Sequence, residues 1–331
     1  MGSTSAPSNP TQVTSAAPPA DAAPASAPAP MSGTAGLSVP SEYAGLSAKQ
    51  IEFMERRRAE QGLLPLVNGS TATPTSSASV DSPTVPVSTE PSSATEFLHA
   101  PLSYFALDKL TPKGRRKNVD RGEPHDFTRS LVKGATSVGS WACTEGGWDS
   151  PSERPTTEWF IVLSGSGCVT DPDGTRHPFG PGDLVILPKG WHGRWDITEA
   201  IHKVWVVRDH PDIPGASTTP VVVPVSQLEA ASGASTVRKG AVHGFPFTTG
   251  SEMYSLGDVS AGYWCCTPGS FPCKKSATEA FHVREGVFFL TNADGSARRC
   301  VAGDTIVLPK GWSGHWDVIE TVKKVWVVIS E

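Results

Sequence analysis

From about residue 139 onward, the chain is a series of short apolar segments separated by turn residues. The segments are rich in Val, Ile, Trp and Phe, which favour strands. The steps Asp173-Gly174, Pro181-Gly182 and Asp294-Gly295 separate them, and Asp-Gly suits hairpin turns because these turns need residues that tolerate positive φ. No long segment with the 3.6-residue period of a helix interrupts the series. The pattern predicts an all-β fold, an antiparallel sandwich or barrel.

The same set of residues occurs twice in this region. Glu158 and Gly165 in the first copy correspond to Glu279 and Gly286 in the second. The other matched segments are Gly139–Gly146 with Gly262–Gly269, Gly182–Asp196 with Gly303–Asp317, and Lys203–Val207 with Lys324–Val328. The spacing is kept except for one two-residue gap near Arg154. Such a repeat predicts two tandem domains of one fold. We place them at residues 96–210 and 225–331, with a Pro-rich linker at 211–224.

The first third of the chain has a different composition. Residues 1–40 and about 68–95 are mainly Ala, Pro, Ser, Thr and Gly, so residues 1–95 are predicted to be a disordered tail. Between these tracts, residues 47–62 predict a short helix with Ser47 as its N-cap and Gly62 as its stop. This helix could dock a partner through Ile51 and Met54, or it could be a transient helix in a linker.

Charge and cysteine content exclude several classes of function. The net charge is −5 and no basic stripe is present, so nucleic acid is not an expected partner. No apolar run is long enough for a membrane span, and no secretory, mitochondrial or myristoylation pattern is present. A cytoplasmic location is therefore predicted. The six cysteines form no CxxC pair, which favours reduced thiols over disulfides.

Two short motifs in each copy resemble the signatures of the cupin family. These are Glu-x6-Gly, beginning at Glu158 and Glu279, and Gly-Asp-x4-Pro-x-Gly, beginning at Gly182 and Gly303. The flanking Trp-x-Cys-Thr and Pro-Lys-Gly-Trp residues are similar to the cupin branch of (S)-ureidoglycine aminohydrolase-like and ethanolamine-utilisation cupins. The resemblance implies a bicupin, with two double-stranded β-helix (jelly-roll) barrels. It also implies that the barrels pair within one chain as cupins pair in dimers, and it is compatible with a homo-oligomer.

A typical cupin holds a metal ion with His-x-His-x3-Glu and one further His, ligands suited to Mn, Fe or Zn. At these positions the first copy has Ser152, Arg154, Glu158 and Gly193. The second copy has Cys273, Lys275, Glu279 and Gly314. Only the glutamate is kept, and a cation beside it repels a metal ion. We therefore predict no metal and no other cofactor.

Strand parity predicts what the barrel interiors contain instead. Trp191 and Trp195 share a face with Gly193, as Trp312 and Trp316 do with Gly314, if each strand is regular. The candidate ligand-binding residues are Arg154, Trp191, Trp195, Trp312, Trp316 and His315. The candidate catalytic residues are Glu158, Glu279, Lys275 and Cys273. The tryptophans could line an aromatic pocket or could simply fill the barrels.

Three functions follow from this pattern. The first is binding of a small polar metabolite, with metal-independent isomerase, lyase or hydrolase chemistry by a glutamate whose pKa the apolar pocket raises. The second is a non-catalytic binding or assembly module. The third is a metal-dependent enzyme like the ureidoglycine aminohydrolases, which the missing ligands disfavour. The sequence does not decide whether the protein is an enzyme.

Overall fold

The computed structural model describes residues 95–230 and 235–330, and the tail with its predicted helix at 47–62 lies outside them. The described chain is almost entirely β, as predicted. Its strands are β1 Leu98–Ala100, β2 Thr111–Arg115, β3 Val119–Gly122, β4 His125–Val132, β5 Thr136–Cys143, β6 Gly146–Ser150, β7 Thr157–Thr170, β8 Arg176–Phe179, β9 Leu184–Leu187, β10 Gly193–Arg208, β11 Val221–Val223, β12 Thr236–Val237, β13 Phe247–Leu256, β14 Val259–Cys266, β15 Gly269–Lys274, β16 Thr278–Asn292, β17 Ala297–Val301, β18 Thr305–Leu308 and β19 Ser313–Ile329.

Helices are few and short. One α-helix, α1, covers Val225–Ala230, and two 3-10 helices cover Leu102–Phe105 and Leu107–Lys109. Within the described ranges, no helix has the length and hydropathy of a membrane span.

The strands form two sheets with one topology. Barrel 1 is the ten-stranded sheet of β2–β11, with the main order β11-β9-β7-β10-β5-β4-β2. Barrel 2 is the nine-stranded sheet of β1 and β12–β19, with the main order β1-β18-β16-β19-β14-β13-β12. Each barrel has its own aromatic interior, and a third buried cluster contains residues of both barrels, among them Trp159, Val204, Ala280 and Val325.

The predicted Asp-Gly turns are present. Gly174 joins β7 to β8 with φ +90°, and Gly295 joins β16 to β17 with φ +86°. In both turns the aspartate carboxylate accepts a backbone N–H two residues on, at 2.8 Å. These bonds hold the turns in the conformation that the hairpins require.

The glycine of the Glu-x6-Gly motif is needed where a long strand bends. Gly165 has φ +79° and Gly286 has φ +97°, a region that favours glycine. A Cβ at these positions would lie 2.1 Å from the carbonyl oxygen of Ala200 and 2.4 Å from that of Thr321. The partner strands β10 and β19 are irregular at the same level. The bend and the irregular partner together let one strand serve two parts of the barrel.

The two halves of the chain exchange a short strand. β1, the first strand in the chain, pairs with β18 of barrel 2, with Leu98 opposite Val307. β11, in the linker region, pairs with β9 of barrel 1, with Val221 opposite Ile186. Residues 96–105, which the sequence analysis assigns to the first domain, therefore contact barrel 2. Residues 221–223, assigned to the linker, complete barrel 1.

The aspartate of each Gly-Asp motif fastens the exchanged segment. Asp304 accepts the backbone N–H of Leu102 at 3.1 Å and that of Val301 at 3.0 Å. Asp183 accepts the backbone N–H of Val225 at 2.8 Å, in the equivalent position. Asp304 is buried, so its two bonds satisfy a carboxylate that water cannot reach, whereas Asp183 is only half-buried. The motif therefore serves to join the two halves of the chain.

Candidate functional site

Each barrel contains a cavity above its aromatic interior. The cavity of barrel 1 has about 270 Å³ and is lined by residues including Trp141, Trp148, Arg154, Glu158, Trp195 and Lys203. The cavity of barrel 2 has about 290 Å³ and is lined by residues including Trp264, Phe271, Cys273, Glu279, Trp316 and Lys324. Both volumes are close to the lower end of the range for small-molecule pockets.

A buried lysine–glutamate pair lies at the base of each cavity. Lys203 Nζ donates to Glu158 Oε1 at 2.7 Å, and Lys324 Nζ donates to Glu279 Oε1 at 2.6 Å. The lysine side chains are 4% and 6% exposed. β7 and β10 are adjacent in barrel 1, as β16 and β19 are in barrel 2, so each pair joins neighbouring strands.

A second cation contacts the other oxygen of each glutamate. Arg154 Nη2 donates to Glu158 Oε2 at 2.8 Å, and Lys275 donates to Glu279 Oε2. We call Arg154, Glu158 and Lys203 the ion-pair triad of barrel 1, and Lys275, Glu279 and Lys324 that of barrel 2. In both triads a carboxylate is held between two cations.

Aromatic rings surround one buried lysine of each triad, Lys203 in barrel 1 and Lys324 in barrel 2. Lys324 Nζ lies 4.8 Å from the ring centroid of Trp264, 4.1 Å from that of Phe281 and 4.9 Å from that of Trp316. Lys203 has the same three contacts with Trp141, Phe160 and Trp195, at 4.8, 3.8 and 4.9 Å. Cation–π attraction partly replaces the hydration that each ammonium group loses on burial.

These contacts set the charge of the triads. Burial by itself raises the pKa of a carboxyl group, but Lys324 and then Lys275 outweigh it and lower the pKa of Glu279 to about 2. Burial is likewise outweighed at Glu158, whose pKa Lys203 and Arg154 lower. The prediction of a raised glutamate pKa is therefore wrong. Burial lowers the pKa of Lys203 to about 8, although Glu158 opposes the shift, and it also lowers the pKa of Lys324.

The residues at the positions of the cupin metal ligands do not fit a transition metal. Arg154 and Lys275 stand where imidazoles are needed, and both oxygens of each glutamate already accept hydrogen bonds from cations. A metal ion would face two positive groups and no free carboxylate oxygen. Within residues 95–230 and 235–330, the one cluster with metal-ligand chemistry is His99, Cys300 and Asp304, where β1 joins β18 and outside both cavities.

The tryptophans predicted to bind a ligand divide into two groups. Trp195 and Trp316 line the cavities and form their floors, each packed against several other rings. Trp191 and Trp312 lie deeper in the core, where their Nε1 atoms donate at 2.8 Å to Asp171 and Asn292. These two belong to the interior packing, so pocket lining and barrel filling both occur.

The remaining predicted residues are also placed by the structure. Arg154, Lys275 and Cys273 line the cavities. His315 is not among the cavity-lining residues, and its Nε2 lies 2.6 Å from Ser270 Oγ.

The two-residue gap lies between Ser150 and Arg154. Ser150 faces Gly193 as Cys273 faces Gly314, so Ser150 is the counterpart of Cys273. Ser152, which the motif spacing places there, is exposed outside this pairing.

Sequence reasoning missed Lys203 and Lys324 of the triads and one arginine at each cavity. Lys203 opens the repeated Lys-Val-Trp-Val-Val segment and shares a strand face with Trp205 and Val207, which also line the cavity. The sequence does contain a signal for this lysine, because a charged residue is kept in both copies of an otherwise apolar strand. Arg116 and Arg238 precede the matched segments, so the repeat gave no signal for them.

The sheet order, the bend glycines and the repeated motifs define two double-stranded β-helices, the fold of the cupins. The family model of the EutQ-like cupin domain matches the chain twice, over residues 132–205 and 254–326. The protein is therefore a bicupin with two EutQ-like cupin domains in tandem, which confirms the resemblance inferred from the motifs.

Solved structures with the same fold have low sequence identity to this chain. A protein of unknown function from Pseudomonas syringae pv. tomato has a TM-score of 0.55 at 16% identity and covers 70% of this chain and 98% of its own. The putative glyoxylate induced protein of Pseudomonas aeruginosa has a TM-score of 0.54 at 14% identity and covers 80% and 97%. Protein Ylba of E. coli has a TM-score of 0.50 at 11% identity and covers 70% and 90%. No curated protein matches the sequence. These likenesses concern the fold alone.

Proposed function

We propose that this bicupin binds a small organic ligand in its barrel cavities, without a metal ion in either. The observation that carries the proposal is the convergence of a buried ion-pair triad and several aromatic rings on one open cavity in each barrel. Ligand pockets typically combine apolar walls with a few fixed polar groups in this way. A barrel whose tryptophans filled it completely would offer no such space.

The state of the glutamates favours binding over acid–base catalysis by a carboxyl group. With a pKa of about 2, Glu279 is a fixed anion at neutral pH and has no proton to donate. Its function in the proposal is to hold Lys275 and Lys324 in place at the base of the cavity. The triad then presents a rigid polar surface to a ligand, which reduces the entropy lost on binding.

A second candidate function is proton transfer by the buried lysine. Burial lowers the pKa of Lys203 to about 8, close to the pH at which a general base works best. Because Lys203 lines the cavity of barrel 1, its amine could reach a bound ligand. This observation supports a metal-independent isomerase or lyase whose reaction takes place in barrel 1.

Native mass spectrometry of the full-length protein, before and after denaturing extraction, tests the binding proposal. We expect a co-purified small molecule that leaves when the chain unfolds. Val328→Phe and Val207→Phe form a matched pair, since Val328 lines the cavity of barrel 2 and Val207 that of barrel 1. Filling the occupied cavity should remove the ligand, and filling the other should not. A ligand that survives both substitutions would refute binding in the cavities.

A further inference from the structure

Each barrel has one arginine at the same place in its cavity. The backbone N–H of Arg116 donates to Pro124 at 2.9 Å, and that of Arg238 donates to Pro246 at 2.8 Å. The guanidinium groups lie over corresponding rings, 4.9 Å from the centroid of Trp148 and 4.7 Å from that of Phe271. Both arginines line their cavities. The two sites are therefore equivalent in backbone and in ring contact.

They differ at the strand position whose carboxylate pairs with the guanidinium group in barrel 1. Arg116 forms an ion pair with Asp126, with Nε 3.0 Å from Oδ2, although the angle is not that of a hydrogen bond. Asp126 lies opposite Cys143, and the residue that lies opposite the equivalent Cys266 is Thr248. The strand position that holds the carboxylate partner of the arginine in barrel 1 therefore holds a threonine in barrel 2, and the hydroxyl of Thr248 donates to the backbone oxygen of Thr236 at 3.3 Å.

Arg238 consequently has no anionic partner within the described part of the chain. Its Nε is buried without a hydrogen-bond partner there. The carboxylates that line the same cavity are Glu279, which is held by Lys275 and Lys324, and Glu252, which is exposed. A guanidinium group that lines a cavity and has no carboxylate partner in the protein can bind the carboxylate of a ligand.

We propose that barrel 2 is the anion-binding barrel, and that Arg238 receives the carboxylate of a small monocarboxylic acid. The proposal deepens the proposed function and rests on it. The apolar part of the acid lies on Trp264 and Trp316, which form the wall and floor of the cavity. The exposed carboxylate of Glu252 disfavours a second negative charge, so a single carboxylate is selected. Barrel 1 does not bind such a ligand, because its Arg116 already forms an ion pair with Asp126.

Isothermal titration of the full-length protein with simple acids and their amides tests this. The probes are benzoate, phenylacetate and hexanoate, each paired with its uncharged amide. We expect one site per chain for at least one acid and binding at least about tenfold weaker for its amide, since hydrogen bonds to charged groups are worth more than neutral ones. Arg238→Gln should weaken binding of the acid to the level of the amide, and Arg238→Lys should restore part of the affinity. Arg298→Gln, at an exposed arginine of β17 that does not line the cavity, should leave the affinity unchanged.

Exchanging the residues at the two equivalent strand positions, Asp126 and Thr248, gives the sharper test. Thr248→Asp gives Arg238 an internal partner, as in barrel 1, and should abolish acid binding while thermal melting shows an intact fold. Asp126→Thr should leave Arg116 without its carboxylate partner and so create a second, weaker acid-binding site in barrel 1. Acid binding that persists within about twofold in Thr248→Asp would overturn the assignment of Arg238. Absence of a second site in Asp126→Thr would overturn the view that Asp126 closes barrel 1.

The outcomes also separate this inference from the function on which it rests. If an acid and its amide bind equally, and both are lost in Val328→Phe, the cavity binds ligands but not through their charge. The proposed function then stands and the inference fails. If no acid and no amide binds, and no ligand co-purifies with the protein, both fail together.

Discussion

Lys324 donates to Glu279 at 2.6 Å inside barrel 2, and both side chains are 6% exposed. Lys203 and Glu158 repeat this contact at 2.7 Å in barrel 1. A buried ion pair adds little net stability over apolar residues of the same shape, whereas loss of one partner leaves an uncompensated charge. Retention of the pair in both copies therefore points to a use for the charges in the cavities.

Removing one partner of the pair should be costly. Glu279→Gln leaves Lys324 buried beside Lys275 without a carboxylate, and we expect a loss of about 3–5 kcal/mol in the free energy of unfolding. Urea denaturation monitored by tryptophan fluorescence measures it, and Glu158→Gln is the matched variant for barrel 1. The double variant Glu279→Leu/Lys324→Met should recover much of the loss. A loss below about 1 kcal/mol in Glu279→Gln would mean that the pair is solvated in solution.

The fastening of β1 by Asp304 can be tested in the same way. Asp304→Ala removes the acceptor of the backbone N–H groups of Leu102 and Val301, which should cost about 0.5–1.5 kcal/mol for each of these part-buried bonds. Hydrogen exchange measured by mass spectrometry should show faster exchange in residues 98–105 and little change in barrel 1. Asp183→Ala should give the reciprocal result at residues 221–225. Equal effects on both segments would argue against local fastening.

Acid should weaken the fold through His282 before it reaches Glu279. Burial, followed by the charge of Arg284, lowers the pKa of His282 to about 4. The unfolded chain binds a proton at this residue near pH 6.5 and the folded chain does not, so stability falls as pH decreases from 6.5 towards 4. The total loss is about 3 kcal/mol for a shift of this size.

Glu279 contributes to the acid sensitivity of the fold at lower pH than His282 does, because its pKa of about 2 lies below its ordinary value of 4.5. Its stabilisation is present above pH 4.5 and is lost as pH falls towards 2.

Thermal melting of the native protein and of His282→Asn between pH 4 and 8 tests the contribution of His282. The melting temperature should depend less on pH in the variant. An unchanged slope would assign the acid sensitivity to other groups.

Gly262 should not tolerate a side chain. A Cβ at this position would lie 2.1 Å from the carbonyl oxygen of Ser251 and 2.8 Å from Trp326, which lines the cavity of barrel 2. Gly262→Ala must therefore displace β13 or the indole, at a cost of about 1–3 kcal/mol. We expect a lower melting temperature and weaker ligand binding in barrel 2. Gly139→Ala is its counterpart beside Trp205 in barrel 1, and it should leave binding in barrel 2 unaffected.

The fold could be predicted from the sequence because its signals are local and repeated. Gly174 and Gly295 mark turns through their own backbone preferences, and the repeat shows that Glu158 and Glu279 have equivalent places. The charge state of these glutamates could not be predicted, because it depends on Lys203 and Lys324, which lie 45 residues further along the chain. Strand parity placed Trp191 and Trp195 on one face but could not show that only Trp195 reaches the cavity.

The strand exchange was also outside the reach of sequence patterns. β1 has three residues, and three residues carry no information about which of many similar strands will pair with them. The difference between Asp126 and Thr248 is not visible in the repeat for a related reason. Both residues precede the matched segments, and their equivalence appears only through the cysteines that they face.

The exchanged strands set an order for biosynthesis. β1 leaves the ribosome before any other described strand, yet the contact between His99 and Asp304 spans 205 residues. At typical elongation rates, β1 waits about 10–40 s for its partner strand to be made. Barrel 1 can close as soon as residue 223 emerges, whereas barrel 2 closes only near the end of translation. Two nascent chains on one messenger could in this interval exchange β1 with each other, so co-expressed tagged chains should report how often the strand finds its own barrel.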